Sequence, residues 1–255
     1  MNVVLLLTGC IVPNCNDCLK VKDIETRKQM YLESISWYLS NTPYDIVFCE
    51  NSGTDISIHF PNEQRLEVLT FTASNNPNED QSKSSKELSI IKYAYDNSEK
   101  IASGHIFVKI TGRLKYLNIV ETLNNIDVPT DYKSEFVCCD IGKTNIWSDS
   151  RCFFFTYPFF ERMFEKKHLV NMSFEFERLL GTCVYQMYLN RTGIFSFLPL
   201  PQRISGVGGG FGITYDISDS QYRRNIRKHR LIKLLFDLGI LPRFKRDHIK
   251  LYGCR

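Results

Sequence analysis

Val3-Val4-Leu5-Leu6-Leu7-Thr8-Gly9-Cys10-Ile11-Val12 is an apolar stretch rich in β-branched residues, without the alternation of a half-exposed strand. Such a run reads as a parallel strand buried on both faces. Two segments repeat the pattern: Asp45-Ile46-Val47-Phe48-Cys49, which runs into the turn Asn51-Ser52-Gly53, and His105-Ile106-Phe107-Val108-Lys109-Ile110, which ends in Thr111-Gly112-Arg113. Leu66–Phe71 and Phe136–Cys139 give two more strands. Between them, Ile24–Leu39 carries Met30, Tyr31, Ile35, Tyr38 and Leu39 at helical spacing, and Ser85–Asn97 carries Ile90, Ile91, Tyr93 and Ala94. Strands alternating with helices over the first 140 residues predict an α/β fold with a largely parallel sheet. Further on, residues 152–160 form an aromatic packing segment, and helices are expected over 173–189 and 219–238. Polar 74–85 is expected as a loop, and 206–212 as a glycine-rich loop.

The chain has 255 residues, 43% of them hydrophobic, enough for a substantial core and unlike a disordered or collagen-like chain. No linker demands a second domain. The formal charge of +4 is too small to indicate nucleic-acid binding, but it is unevenly spread. Residues 191–255 hold 13 Lys/Arg against 4 Asp/Glu, which suggests that the last quarter of the chain faces something anionic. Nine cysteines are too few for a disulfide scaffold and odd in number, so a reduced, cytoplasmic setting is expected. Cys10, Cys15 and Cys18 have a zinc-like spacing but lack an evident fourth ligand, and free thiols are the expected state. The opening run lacks the basic start of a signal peptide, and no window approaches a membrane span.

Ligands of open parallel sheets sit beyond the carboxyl ends of the strands. That rule collects Thr8 and Gly9, Glu50 to Gly53, Lys109 to Arg113, and Asp140. Lys109 supplies a point charge and Arg113 a planar fork suited to phosphate oxygens, while Gly112 allows close backbone approach. A surface salt-bridge network would use the same residues. The glycine cluster follows no strand–helix unit, so it is no dinucleotide fingerprint, and no P-loop or Gly-x-Ser-x-Gly elbow occurs. Asp149 beside Arg151, and Glu177 on a helix, are either candidate general bases or ordinary charge partners.

In order along the chain, these pieces resemble bacterial GT-A-fold glycosyltransferases of surface polysaccharide (lipopolysaccharide O-antigen or capsule) biosynthesis. The pieces are Leu-Leu-Thr8, Thr26-Arg27 with Tyr31, Glu50-Asn51-Ser52-Gly53, Ser85-Lys86-Glu87, Lys109-Ile-Thr111-Gly112-Arg113 with Asn118, Asp149-Ser-Arg151, Glu177, and the Pro201-to-Gly212 loop. The resemblance implies a nucleotide-diphospho-sugar donor, a glycan or lipid-linked acceptor, and a single transferase domain. Residues 1–140 would hold the donor, 141–215 the acceptor side, and 216–255 a basic helical segment. The cations and apolar residues of 221–255 themselves suit docking on the inner face of the cytoplasmic membrane, the alternative being that the apolar residues pack on the sheet and leave the cations on a solvated face. The resemblance casts Thr8, Asn51, Ser52, Gly53, Lys86, Lys109, Thr111, Gly112, Arg113 and Arg151 as donor-binding and Asp149 and Glu177 as catalytic. Such enzymes usually hold Mn²⁺ or Mg²⁺ on an Asp-x-Asp, and this chain has none. Lys109, Arg113 and Arg151 are therefore expected to neutralise the leaving diphosphate, with no metal ligands assigned. A nucleotidyltransferase, or a non-catalytic binding protein using its basic tail, are the alternatives; nucleic acid is not an expected partner.

Overall fold

A computed structural model describes residues 2–13, 19–73, 82–102, 104–129, 131–141, 147–171, 174–208 and 212–238. The elements in chain order are β1 (Val3–Gly9), α1 (Ile24–Asn41), β2 (Asp45–Glu50), β3 (Leu66–Thr70), α2 (Lys83–Asn97), α3 (Glu99–Ala102), β4 (Ile106–Thr111) and β5 (Lys115–Tyr116). They continue with α4 (Ile119–Asn124), β6 (Glu135–Cys138), β7 (Cys152–Phe155), α5 (Tyr157–Glu165), α6 (Phe176–Asn190), β8 (Gly193–Ser196), β9 (Ile204–Val207), β10 (Thr214–Asp216) and α7 (Asp219–Asp237).

A seven-stranded sheet runs β3-β2-β1-β4-β7-β6-β8, and β10-β9-β5 form a small second sheet. The expected architecture is present: α/β, with a mostly parallel central sheet flanked by helices. β1, β2, β3 and β4 are mutually parallel and β6 pairs in parallel with β8, while β7 runs antiparallel to both β4 and β6. The aromatic segment 152–160 thus resolves into a strand and the first turn of a helix, with Pro158 tolerated where no intrahelical N–H is needed. Three consecutive phenylalanines serve both faces of β7, which hides the alternation that would have marked it as a strand.

Burial on two faces explains the continuous apolar strands. Val4 and Leu6 of β1 join Val47, Phe107, Phe153 and Phe155 under α2, α5 and α6, whereas Leu5 and Leu7 join Phe48, Val108, Ile110 and Phe154 under α1 and α4. Asp23 and Ser82 cap α1 and α2 through side-chain oxygens that accept from the Thr26 and Ser85 N–H groups. α2 therefore begins two residues before the expected Ser85, and the rest of the polar loop, 74–81, lies outside the described residues. The chain passes from β1 to β2 and β3 on one side and then crosses to β4 on the other. The sheet's switch point therefore falls between β1 and β4, and it positions the site.

Candidate functional site

The carboxyl ends of β1 and β4 are tied together where the switch point predicts a crevice. The Gly112 N–H donates to the Thr8 carbonyl at 2.9 Å, and the Thr111 N–H donates to the Arg151 carbonyl at 2.9 Å. Gly112 is required here by space, since a Cβ would lie 2.8 Å from the Thr8 carbonyl oxygen. The adjoining loops are tied in by the Asn51 N–H, which donates to the Gly9 carbonyl at 3.3 Å, and by the Asp149 N–H, which donates to the Asp140 carbonyl at 3.2 Å. Every strand-end residue singled out from the sequence accordingly lies along one edge.

Two buried charges shape the loops of that edge. Glu50, fully buried at the end of β2, accepts the N–H groups of Ile11, Ser52 and Thr54 at 2.9, 2.9 and 3.0 Å, and the hydroxyls of Ser52 and Thr70. Arg27 of α1 donates to the carbonyls of Cys10, Ile11 and Val21. A carboxylate collecting N–H groups and a guanidinium collecting carbonyls hold the backbone after β1 in one shape. Burial lowers the Arg27 pKa, with the nearby Arg113 charge adding to it. The strand-end rule collects Glu50 and the resemblance includes Arg27, but neither assigns this loop-holding role; the local signal is only a charged residue at a strand end or on an inward helical position.

Arg113 stands at the centre of this edge. Its guanidinium lies over the Tyr31 ring at 5.6 Å, and its Nε and Nη1 are buried without a hydrogen-bond partner among the described residues. The Tyr31 hydroxyl is itself fixed by the Cys10 N–H at 2.9 Å. Buried N–H donors left unsatisfied cost about 1–3 kcal/mol, more for charged groups, so these two point to an anionic acceptor that completes the site. Nearby, the Asn51 Oδ1 is also buried and unpartnered. Ser52 is held by Glu50, and Gly53 adopts φ 78° in the turn after β2, a conformation that favours glycine. Lys86 lies in the first turns of α2.

Lys109 is placed beneath the site rather than in it. It is fully buried, ion-paired with Glu87 of α2, and donates to the Ser150 carbonyl at 2.6 Å and the Thr111 hydroxyl at 3.5 Å. Its expected direct contact with a diphosphate gives way to a positioning role, because no exposed surface remains on it. Burial acts to raise the Glu87 carboxyl pKa, but Lys109, Lys83 and hydrogen bonds from Lys109 and Thr8 outweigh it, and the pKa is lowered.

The antiparallel entry of β7 brings a second charged group to the same edge. Asp149 accepts the Arg151 N–H at 3.0 Å and the Arg151 Nε at 2.9 Å, and the Arg151 guanidinium lies 4.8 Å over the Tyr215 ring of β10. The Arg151 pKa is raised because the Asp149 carboxylate overcomes burial. Ser150, the next residue, donates its hydroxyl to Glu177 Oε1 at 2.7 Å. Asp149, Arg151 and Glu177 are thus brought together through three consecutive residues. Asp140 joins them, with a pKa raised to about 8 by burial and by the Asp149 charge, partly countered by Arg151.

The residues at the end of β4 do not fit a divalent metal. They are a hydroxyl, a glycine and an arginine, and the neighbouring carboxylates Glu50 and Glu87 are committed to backbone N–H groups and to Lys109. Among the described residues no group of three or more His, Cys, Asp or Glu could hold a metal ion. Of the zinc-like trio, Cys10 is a free thiol, and Cys15 and Cys18 lie outside the described residues. So do Gly209–Phe211 of the glycine loop and the basic cluster Arg243, Lys245, Arg246 and Lys250. No described helix is long and apolar enough to cross a membrane.

No family model matches the sequence, and no curated protein matches it. Among solved structures, the chain is similar to a glycosyltransferase involved in the glycosylation of the major capsid of PBCV-1, with TM-score 0.44, 13% identity, and 77% of this chain and 81% of that chain covered. It is similar to a cytidylyltransferase from Leptospira borgpetersenii, with TM-score 0.42, 12% identity and coverage of 79% and 77%. A third similar structure carries the description of a nucleotide-diphospho-sugar transferase, from Desulfovibrio desulfuricans G20, with TM-score 0.41, 9% identity and coverage of 77% and 81%.

Proposed function

We propose that this chain is a glycosyltransferase of the GT-A type that moves a sugar from a nucleotide-diphospho-sugar to a glycan or lipid-linked acceptor. The observation that carries the reading is Arg113: a guanidinium at the switch point with two buried, unpartnered N–H nitrogens. A diphosphate offers negatively charged oxygens as the acceptors these donors lack. Residues 1–140 bind the donor, with Thr8, Asn51, Ser52, Gly53 and Lys86 around it and Thr111 and Gly112 beneath it. Residues 141–215 form the acceptor side.

Chemically, an acceptor hydroxyl attacks the anomeric carbon, the glycosidic C–O bond to the diphosphate breaks, and the nucleoside diphosphate leaves with the electron pair. Arg113 and Arg151 stabilise the charge that develops on the departing oxygens, and Lys109 with Glu87 holds the strand end in register. Glu177 takes the proton from the acceptor hydroxyl: among the described residues its Oε1 accepts only Ser150, while Asp149 is committed to orienting Arg151. Incubating the protein with a panel of nucleotide-sugars and measuring released nucleoside diphosphate tests the reading. Release from none of them, with or without candidate glycan acceptors, removes it.

The bacterial surface-polysaccharide setting, and a cytoplasmic location against the inner face of the membrane, belong to this proposal. α7 supports them. Its inner face, Ile232 and Phe236, packs on the core, with Phe236 4.8 Å from the Phe197 ring. Its outer face carries Leu231, Leu234 and Leu238, all more than half exposed, in continuation of exposed Arg223, Arg227 and Arg230. An exposed apolar stripe that continues a row of arginines suits an anionic bilayer, where each cation near the surface contributes about 1 kcal/mol.

A further inference from the structure

A cavity of about 380 Å³ lies between α1, the start of α4 and α7. Its lining includes Trp37, Asn118, Ile119, Glu121, Arg203 and Tyr222. Asn118, 9% exposed, builds the wall: its amide donates to the Pro201 carbonyl at 3.2 Å and the Tyr222 hydroxyl at 2.8 Å, and its oxygen accepts the Arg203 N–H at 2.9 Å. Having accepted from Asn118, the Tyr222 hydroxyl keeps its own proton to donate. The Arg203 guanidinium lies 5.4 Å over the Tyr222 ring and pairs with Asp219, leaving its Nε buried and unpartnered. Glu121 is exposed and makes no ion pair among the described residues.

This combination selects the kind of ligand. The charge of Arg203 is already balanced by Asp219, and Glu121 repels anions, so a phosphate is disfavoured. Directional donors and a carboxylate are wasted on a purely apolar ligand. A neutral ring compound with apolar C–H faces and many hydroxyls uses all of it: rings stack on Trp37 and Tyr222, and hydroxyls bridge Glu121 to Tyr222 and Arg203.

Its position relative to Arg113 is set by two elements. α1 carries Tyr31 under Arg113 and Trp37 in the cavity, separated by about 9 Å of helix rise. The backbone from Arg113 to Leu117, which also lines the cavity, spans at most about 14 Å. A short oligosaccharide bridges that gap.

We propose that this cavity binds a neutral pyranose, and that in the enzyme it holds a sugar of the acceptor glycan remote from the hydroxyl that reacts. The acceptor role rests on the transferase reading and extends the acceptor side beyond residues 141–215 onto α1, α4 and α7; the pocket itself does not rest on it. The test uses the full chain with Trp147→Phe, so that Trp37 alone reports by fluorescence. The probes are the methyl pyranosides of glucose, mannose, rhamnose and N-acetylglucosamine, with binding of UDP, GDP, CDP, ADP and dTDP measured separately by calorimetry. At least one pyranoside should change the emission saturably, and Glu121→Gln and Tyr222→Phe should each weaken it about 10-fold without lowering the melting temperature. If none of the four saturates, or saturation survives both substitutions, the pocket assignment is overturned. Pyranoside binding without any nucleotide binding keeps the pocket and removes the transferase reading, while nucleotide binding without pyranoside binding does the reverse.

Discussion

Gly112 and Thr8 are in backbone contact across the switch point: the Gly112 N–H donates to the Thr8 carbonyl at 2.9 Å, and a Cβ on Gly112 would meet that same oxygen at 2.8 Å and the Tyr31 ring at 3.2 Å. Neither the backbone nor the ring yields cheaply, because Tyr31 holds Cys10. Gly112→Ala should therefore displace Arg113 and cut turnover at least 10-fold, with a melting temperature only a few degrees lower. A variant with wild-type kinetics would show that this close approach does not set the position of Arg113.

The Lys109–Glu87 pair yields a stability prediction. Lys109→Met leaves Glu87 buried and unpaired, which costs about 3–5 kcal/mol, on the order of 10 °C in melting temperature. Lys109→Met with Glu87→Leu should lose less than the sum of the two single changes, measured as a double-mutant cycle in urea. Because the Glu87 pKa is lowered in the fold, the pair's contribution is present above the ordinary carboxylate pKa and is lost as pH falls through the lowered one. Additive losses would mean that the two side chains act independently.

Asp140 behaves oppositely. A carboxyl raised to about 8 in the fold binds a proton that the unfolded chain releases near 4, so stability falls as pH climbs from about 4 to 8. His229 of α7 sits against it, Nδ1 to Oδ1 at 3.4 Å, with Nε2 2.6 Å from the Leu198 carbonyl. A carbonyl only accepts, so Nε2 carries the hydrogen and the Nδ1–Oδ1 contact needs one further proton. Burial lowers the His229 pKa, which favours that proton on Asp140. Asp140→Asn supplies an uncharged donor in its place. It should flatten the dependence of melting temperature on pH and raise stability at pH 9, whereas an unchanged profile would show that Asp140 does not titrate in this range.

Glu177→Gln should abolish turnover while the melting temperature and nucleotide binding stay unchanged, since the amide still accepts from Ser150. Asp149→Asn should instead raise the donor KM, by releasing Arg151. Full activity in Glu177→Gln would place the base elsewhere or point to a mechanism without one.

Much of this was legible in the chain because its decisive features are local. Both-face burial of β1, β2 and β4 shows as unbroken apolar runs, and their polar ends mark the edge that carries the candidate site. What escaped depends on pairing across the chain. The antiparallel β7 is a run of phenylalanines with no period, and its partners in β4 lie 42 to 48 positions away. Lys109 reads as a strand-end cation until Glu87, on a helix over the sheet, is found to have consumed it. Glu50 and Arg27 hold loops whose N–H and carbonyl groups carry no sequence signature at all.

If Arg113 rather than a metal binds the donor diphosphate, steady-state kinetics with the active nucleotide-sugar in excess chelator will show it. Wild-type turnover should persist, and Arg113→Ala should lower kcat/KM by about 100-fold or more. Near-normal kcat/KM in Arg113→Ala, or wild-type activity abolished by chelator and restored by Mn²⁺ or Mg²⁺, would contradict it.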